Sequence, residues 1–371
     1  MRYLIINTDY PAFLSWFYGQ HKDLDDCSYL TQLDLHAKTL FGVSGTYSKY
    51  LKKLNHQTTE IHANNPMFQS TWCKENDLNI KIQDRWEITY RKSVIPWITE
   101  SKNWLQTVLA KQIESIKPDV IVNFDLNLTP AGFFSDIKAH YGILIGQHAA
   151  TPLNEDRDWT EYDLMLSSFM PTVDWFLSKS IPCKYFPLGF DTDLIGLSDK
   201  FKKDIPVSFI GSFSNIHSSR LEFLEAVSSK VDVQIWGPYN DNLNKYPNIY
   251  KSWRGEAWGK KMYEIIARSK ITLNHHGSII PYANNFRLYE STGLGALLIT
   301  DHLPGLSDKF EIGKEILVYT NAEDCIEKIK KYLKKNEQRE IISINGQRRT
   351  ETSHNYLHIM QELTEIVSNQ S

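Results

Sequence analysis

Arg287 and Glu290 stand three residues apart in the string NNFRLYESTGLGALLITD, residues 284–301. If 285–293 is a helix, the two share a face. A carboxylate so placed is a bidentate acceptor for a vicinal diol such as a ribose, and a guanidinium beside it can reach a diphosphate. The plain alternative is an ion pair within the helix, worth roughly 0.2–0.5 kcal/mol. Asn285 opens the same segment, and Gly293, Gly295 and Ala296 let the helix lie close to the strand that follows.

Other residues suited to binding an anion or a base collect at the ends of apolar runs. VSFIGSFSNIHSSR (207–220) reads as a strand ending in Gly211-Ser212 and leading to a helix that carries Arg220 in its first turn. Small residues there let backbone N–H groups approach a ligand, and a helix N-terminus favours an anion. VQIWGPY places Trp236 and Gly237 at a strand terminus, where an indole face can stack on a flat base. YKSWRGEAWG sets Arg254-Gly255 before a helix, and ITLNHHGS ends in Asn274, His275, His276 and Gly277. Each has a structural reading as an ordinary turn. Four consecutive strands delivering such residues to one sheet edge favour a ligand site.

In the first half, Asp9, Asp125 and His148 each follow a predicted strand and are the candidates for a general base. His148 has the proton affinity suited to that role near neutrality. The competing reading makes the aspartates helix caps and His148 a backbone partner.

Several signatures fail. Gly293-Leu294-Gly295 lacks the third glycine of a dinucleotide fingerprint, no GxxxxGK[ST] loop exists, and Gly42-Val43-Ser44-Gly45 lacks the spacing of a hydrolase elbow. His354 and His358 are four apart, but Asn355 stands where a zinc protease has glutamate. Neither a metal nor another cofactor is expected.

The elements that must position these residues alternate as in parallel sheets covered by helices. Strands are predicted at 3–8, 58–62, 119–124, 143–147, 163–167 and 184–188, then at 207–210, 231–236, 247–252, 271–274, 296–300 and 315–319. Helices are predicted at 28–54, 97–116, 218–229, 256–268, 285–293 and 322–335. The pattern restarts near residue 207, which divides the chain into a domain at 1–190, a linker at 191–206, a domain at 207–350 and a terminal helical segment at 351–371, able to cap the second domain or cross back to the first.

The 371 residues suffice for two such cores. A formal charge of −3 gives no electrostatic reason to expect nucleic acid. The four cysteines form no CxxC pair and read as reduced thiols. MRYLIINTDY reads as a strand rather than a signal peptide, and no apolar run approaches the about 18 residues of a membrane span. A cytoplasmic protein is expected.

The order and spacing of NNFRLYESTGLGALLITDHLPGLSDKFEIGKEILVYTNAEDCIEKIKKYL, FIGSFSNIHSSR, RGEAWGKKMYEIIARSKITLNHHG and YDLMLSSFMPTVDWFLSKSIPCKYFPLGFD resemble the GT-B glycosyltransferases, and most closely the group related to the spore maturation protein CgeB. The similarity is good over about 160–350 and weak over the first 150 residues. It implies two Rossmann-like α/β domains facing a central cleft, with the acceptor side first and the nucleotide-sugar donor side second. It makes Glu290 the carboxylate on the donor ribose, with Arg287, Arg254 and Gly211-Ser212 around base and diphosphate. Many retaining members carry two glutamates seven residues apart; here the earlier position is Tyr282. The activity implied is metal-independent transfer of a sugar from a nucleoside-diphosphate sugar to a glycan, lipid-linked or protein acceptor, in bacterial surface polysaccharide or glycoconjugate synthesis. A lipid-linked acceptor would bring peripheral contact with the inner face of the membrane. Other readings are a nucleotide-sugar epimerase of the same fold and a non-catalytic nucleotide-sugar-binding protein.

Overall fold

The computed structural model describes residues 1–82, 85–91, 95–101, 103–149, 155–213, 218–276 and 280–370. The chain divides into two compact units. The first comprises Met1–Ser167, Thr172–Tyr185 and Thr364–Ser371, the second Ser168–Pro171 and Phe186–Leu363.

The first unit is built on β1 (Arg2–Asn7), β2 (Gln57–His62), β5 (Val120–Asn123), β6 (Ile143–Gln147), β7 (Leu164–Ser167) and β8 (Cys183–Tyr185). An antiparallel hairpin, β3 (Arg85–Arg91) and β4 (Ile95–Ser101), is inserted between β2 and β5. The six strands form one parallel sheet in the order β2-β1-β5-β6-β7-β8. Every residue of β5 and of β7 is buried, as expected when helices cover both faces. The order reverses between β1 and β5, so the carboxyl ends of these two strands flank a switch point, where open α/β sheets form a crevice.

The second unit repeats the plan with β9 (Ile205–Ile210), β10 (Gln234–Trp236), β11 (Ser269–Asn274), β12 (Leu297–Asp301) and β13 (Leu317–Tyr319), parallel in the order β10-β9-β11-β12-β13. Its core joins Val207, Phe209, Ile235, Ile271, Leu273, Leu297 and Ile299 to apolar faces of the helices Ser218–Ser228 and Ala322–Lys334. Here the switch point lies between β9 and β11.

Some expectations are corrected. Residues 247–252 form a helix, Pro247–Ser252, not a strand. Pro247 cannot donate to a ladder but suits a first helical turn, and the Glu225 carboxylate accepts the N–H groups of Asn248 (3.1 Å) and Ile249 (3.0 Å) at that N-terminus. The helical stretch expected over 28–54 holds two helices, Tyr29–Ala37 and Thr46–Lys53. Between them Leu40, Gly42 and Gly45 take φ of 59°, 61° and 71°, which no right-handed helix can carry. The helix expected at 97–116 begins at Asn103, because 95–101 belong to β4.

Candidate functional site

In the second unit the parallel register brings Ile210, Trp236, Asn274, Asp301 and Tyr319 to the same carboxyl edge. The helix Arg287–Gly293 is packed behind that edge, and its buried face includes Leu288, Tyr289 and Glu290. Arg287 Nη1 lies 2.8 Å from Glu290 Oε2, and both side chains are nearly buried. Nη2 of the same arginine donates to the Ile210 carbonyl at the end of β9 (3.4 Å). The buried Tyr263 phenol also faces Glu290. Burial pushes the Glu290 carboxyl above its ordinary value, while Arg287 and then Tyr263 oppose that rise. The chain thus holds a carboxylate in a low-dielectric setting with a cation and a phenol to keep it charged. Asn285 is fixed by donating to Asn274 Oδ1 (2.9 Å).

Arg220 sits differently from the expected phosphate fork. It is 8 % exposed, donates through Nε (3.2 Å) and Nη2 (2.8 Å) to the His275 carbonyl, and through Nη1 (3.0 Å) to the Ser212 carbonyl. Its guanidinium therefore straps the ends of β9 and β11 together across the switch point. Burial lowers its proton affinity to about 10, still far above neutrality. Trp236 is only 6 % exposed, so its indole is a core side chain and not a stacking platform. The Gly211 N–H donates to the Trp236 carbonyl (3.0 Å) and the Gly237 N–H to that of Gly255 (3.0 Å), so these glycines allow strand ends to close together. A Cβ on Gly237 would lie 2.1 Å from the Gly211 oxygen. Ser212 enters through its carbonyl on Arg220.

Arg254 is exposed, and its guanidinium donates to the carbonyls of Lys251 (2.8 Å) and Trp253 (3.2 Å). His275 Nδ1 is 2.9 Å from the Tyr319 hydroxyl, which donates its hydrogen to the Asn274 carbonyl (2.9 Å). The His275 Nδ1–H must then be the donor to Tyr319, which fixes the tautomer. His276 Nδ1 lies 2.6 Å from Asp301, whose carboxyl is held low by the two neighbouring histidines in spite of its burial. Tyr282 rests its ring against Gly305, with Lys309 Nζ 4.9 Å from the ring centroid. His354 Nε2 is 2.9 Å from the Lys309 carbonyl oxygen, and His358 Nδ1 is 3.1 Å from Asn355 Nδ2.

In the first unit the three base candidates diverge. Asp9 is 4 % exposed and encloses its carboxylate between two histidines that the sequence did not single out. His36 Nε2 is 2.9 Å and His62 Nδ1 3.0 Å from the same oxygen. Burial would raise Asp9, but His62 and His36 outweigh it and hold the carboxyl well below the usual range. So buried and so weakly basic a group is removed from direct proton abstraction. Asp125 accepts from the Thr8 hydroxyl (3.1 Å) and from the Asn127 N–H (3.0 Å), and lines a cavity of about 620 Å³ with Asn64, Asn127, Thr129 and Arg157. His148 lies one residue beyond β6, half-buried, and its N–H donates to the Leu166 carbonyl (3.0 Å).

Residues 220–365 match the family model described as glycosyl transferase-like. Solved structures align over all of this chain at low identity. HepE of Anabaena, determined with UDP and glucose, is 12 % identical over 100 % of both chains with a TM-score of 0.63. A glycosyltransferase of Rickettsia africae is 12 % identical over 100 % of this chain and 98 % of its own (0.61). The pneumococcal O-GlcNAc transferase GtfA, determined with UDP and GlcNAc, is 10 % identical over 100 % and 99 % (0.56). The chain has the GT-B fold. No curated protein sequence matches it. Within this GT-B chain, the residues carried by the matched segment include Arg220, Arg254, His275, Asn285, Arg287 and Glu290. Tyr263, which faces Glu290, and Asp301 also lie there, and neither was marked by spacing. A tyrosine in an amphipathic helix carries no local sign that its hydroxyl meets a carboxylate two elements away.

Proposed function

We propose that this chain is a glycosyltransferase that moves a sugar from a nucleoside-diphosphate sugar to a glycan, lipid-linked or protein acceptor. The observation that carries the reading is the buried, charge-compensated Glu290 behind the carboxyl edge of an all-parallel sheet, inside the segment that matches the glycosyl transferase-like model. A carboxylate supported in this way is suited to two adjacent ribose hydroxyls, because both of its oxygens can accept. Arg287, held between Glu290 and the β9 carbonyl, and the exposed Arg254 are the cations assigned to the diphosphate, whose departure they assist by stabilising its growing charge. His275 contributes from the end of β11. No metal is assigned to the transfer step.

UDP is the nucleotide to try first, since HepE and GtfA were each determined with it. Of the base candidates in the first unit, Asp125 and His148 are retained for an acceptor hydroxyl. The CgeB group remains the family suggested by the motifs, and bacterial surface glycoconjugates the suggested product. Among the described residues no helix is long and apolar enough to cross a membrane; a cytoplasmic location, with peripheral contact if the acceptor is a lipid, is part of the proposal.

Calorimetry with UDP and UDP-glucose tests the donor site. Binding to the native chain and its loss in Glu290→Gln support the reading; undiminished binding in that variant removes Glu290 from the site. Mass spectrometry of products against an acceptor panel then separates transfer, which releases UDP only with acceptor present, from epimerisation, which releases none.

A further inference from the structure

Four side chains of the first unit close a hydrogen-bonded ring that none of the roles above uses. Asp9 follows β1, His36 lies in the last turn of the helix Tyr29–Ala37, Ser44 lies in the turn after it, and His62 ends β2. Asp9 Oδ1 meets His36 Nε2 (2.9 Å) and His62 Nδ1 (3.0 Å). At the opposite end Ser44 Oγ meets His36 Nδ1 (3.0 Å) and His62 Nε2 (3.2 Å). The imidazole centroids are 3.8 Å apart. His36 is 0 %, His62 2 % and Asp9 4 % exposed, so water cannot complete an unfilled link.

Counting hydrogens decides the state of this ring. Each of its four links needs one hydrogen between its two heavy atoms. An ionised Asp9 supplies none, two neutral imidazoles supply one each, and Ser44 supplies one. That leaves one link as two facing lone pairs, a costly arrangement in a buried site. One added proton fills all four: both histidines donate to Asp9, one imidazolium donates to Ser44, and Ser44 donates to the other ring. A second added proton overfills it, since both rings would then donate to Ser44 and strand its own hydrogen.

We infer that Asp9, His36, Ser44 and His62 form a proton-retaining latch, which at neutral pH holds one imidazolium, on His62, and fastens the helix Tyr29–Ala37 to the carboxyl ends of β1 and β2. His62 is the site because Glu60 Oε1 lies 3.7 Å from its Nε2. The surroundings agree. Burial would lower His62, but Asp9 and Glu60 hold it above its ordinary value, whereas burial and the adjacent His62 hold His36 below. The other titratable groups facing the latch are the phenols of Tyr18, whose hydroxyl donates to Asn65 Oδ1 (2.6 Å), and Tyr29, in the field of Glu60; burial raises both, so they stay neutral. The remaining walls are the rings of Phe13, Phe17 and Phe68.

The same three residues, Asp9, His36 and His62, have the composition of a metal site. Without an ion, His36 Nε2 and His62 Nδ1 meet Asp9 Oδ1 through hydrogens and the other two nitrogens meet Ser44, so the occupant, proton or metal, is read directly by elemental analysis.

The latch has two limits with opposite signs. His62 is raised, so its contribution is complete below about 6.5, the unfolded value, and is lost as pH rises through its folded value. His36 is lowered, so stability is lost as pH falls below about 6.5.

Long-range proton–nitrogen NMR of the imidazoles in the full chain tests this. The expected result at pH 7.5 is one buried ring protonated at both nitrogens and another neutral, and in Ser44→Ala a proton affinity of the charged ring reduced at least tenfold. Two neutral rings at pH 7.5 in the native chain, or two rings titrating together near 6.5, overturn the inference, and so does one tightly held zinc per chain by elemental analysis. The native-chain spectra decide the matter even if Ser44→Ala does not fold.

Discussion

Arg287 Nη1 and Glu290 Oε2 are 2.8 Å apart on one face of a seven-residue helix, and both are nearly withdrawn from water. Removing either partner alone strands a buried charge, a loss of about 3 kcal/mol by analogy with other buried pairs. Glu290→Ala and Arg287→Ala should therefore each lower the denaturant midpoint. The double replacement Arg287→Met with Glu290→Met should recover much of that stability while leaving no affinity for UDP-glucose. Recovery of both would show that the pair serves folding only.

Arg254 offers the complementary case, because its guanidinium is exposed and bonds only nearby carbonyls. Arg254→Ala should change stability by no more than about 0.5 kcal/mol. Its effect should appear in calorimetry as at least a tenfold weaker UDP affinity, with a shallower dependence of that affinity on salt.

Gly237 is constrained by its neighbours and not by its own backbone angles. A methyl group there would sit 2.1 Å from the Gly211 oxygen and 2.7 Å from the Phe213 ring. Gly237→Ala must push the ends of β9 and β10 apart, at a cost of about 1–3 kcal/mol. Gly196→Ala, which meets nothing within 4 Å, is the control and should unfold at the native midpoint.

Lys203 points its ammonium at the carbonyls of Ala267 (3.2 Å), Ser269 (3.1 Å) and Leu294 (3.5 Å), and burial lowers its proton affinity to about 8. Between that value and the ordinary 10.5 the unfolded chain binds more protons than the folded one. Stability should then rise with pH from about 8 to 10.5 through this group. Lys203→Met should flatten that part of the profile in denaturant titrations at fixed pH steps.

Transfer activity, once an acceptor is found, should survive prolonged chelation by EDTA, since the charges assigned to the departing diphosphate are side chains. Loss on chelation with recovery on adding magnesium or manganese would assign that charge to an ion.

The sheet plan and the Glu290 helix were legible because they are local. Alternation and a glycine-marked turn lie within a few residues of one another, and Arg287 with Glu290 needs only helical spacing. Residues 247–252 misled because Ile249 and Tyr250 favour strands, while the Glu225 carboxylate that fixes the helix is more than twenty positions away. The β3–β4 hairpin escaped because Pro96 and charged residues mask its alternation. Asp9 shows the limit most clearly. That it follows a strand is readable, but its burial depends on His36 and His62 arriving from separate elements, and no spacing links them. Arg220 was expected in the first turn of the helix after Gly211-Ser212, with a phosphate in view; that its fork meets the backbone carbonyls of Ser212 and His275 was not legible, because a sequence does not reveal whether a guanidinium meets a ligand or a carbonyl.

Arg220 also has a consequence for temperature. By binding the carbonyls of Ser212 and His275 it removes conformational freedom from two neighbouring strand ends when the chain folds. A ligand arriving at that edge meets two strand ends already joined, so holding those two together costs association no further entropy. The van't Hoff slope for nucleotide binding should accordingly carry no contribution from joining these two strand ends. In Arg220→Lys, where one ammonium replaces a rigid fork, the same enthalpy would be opposed by a larger entropic loss as the edge freezes on contact.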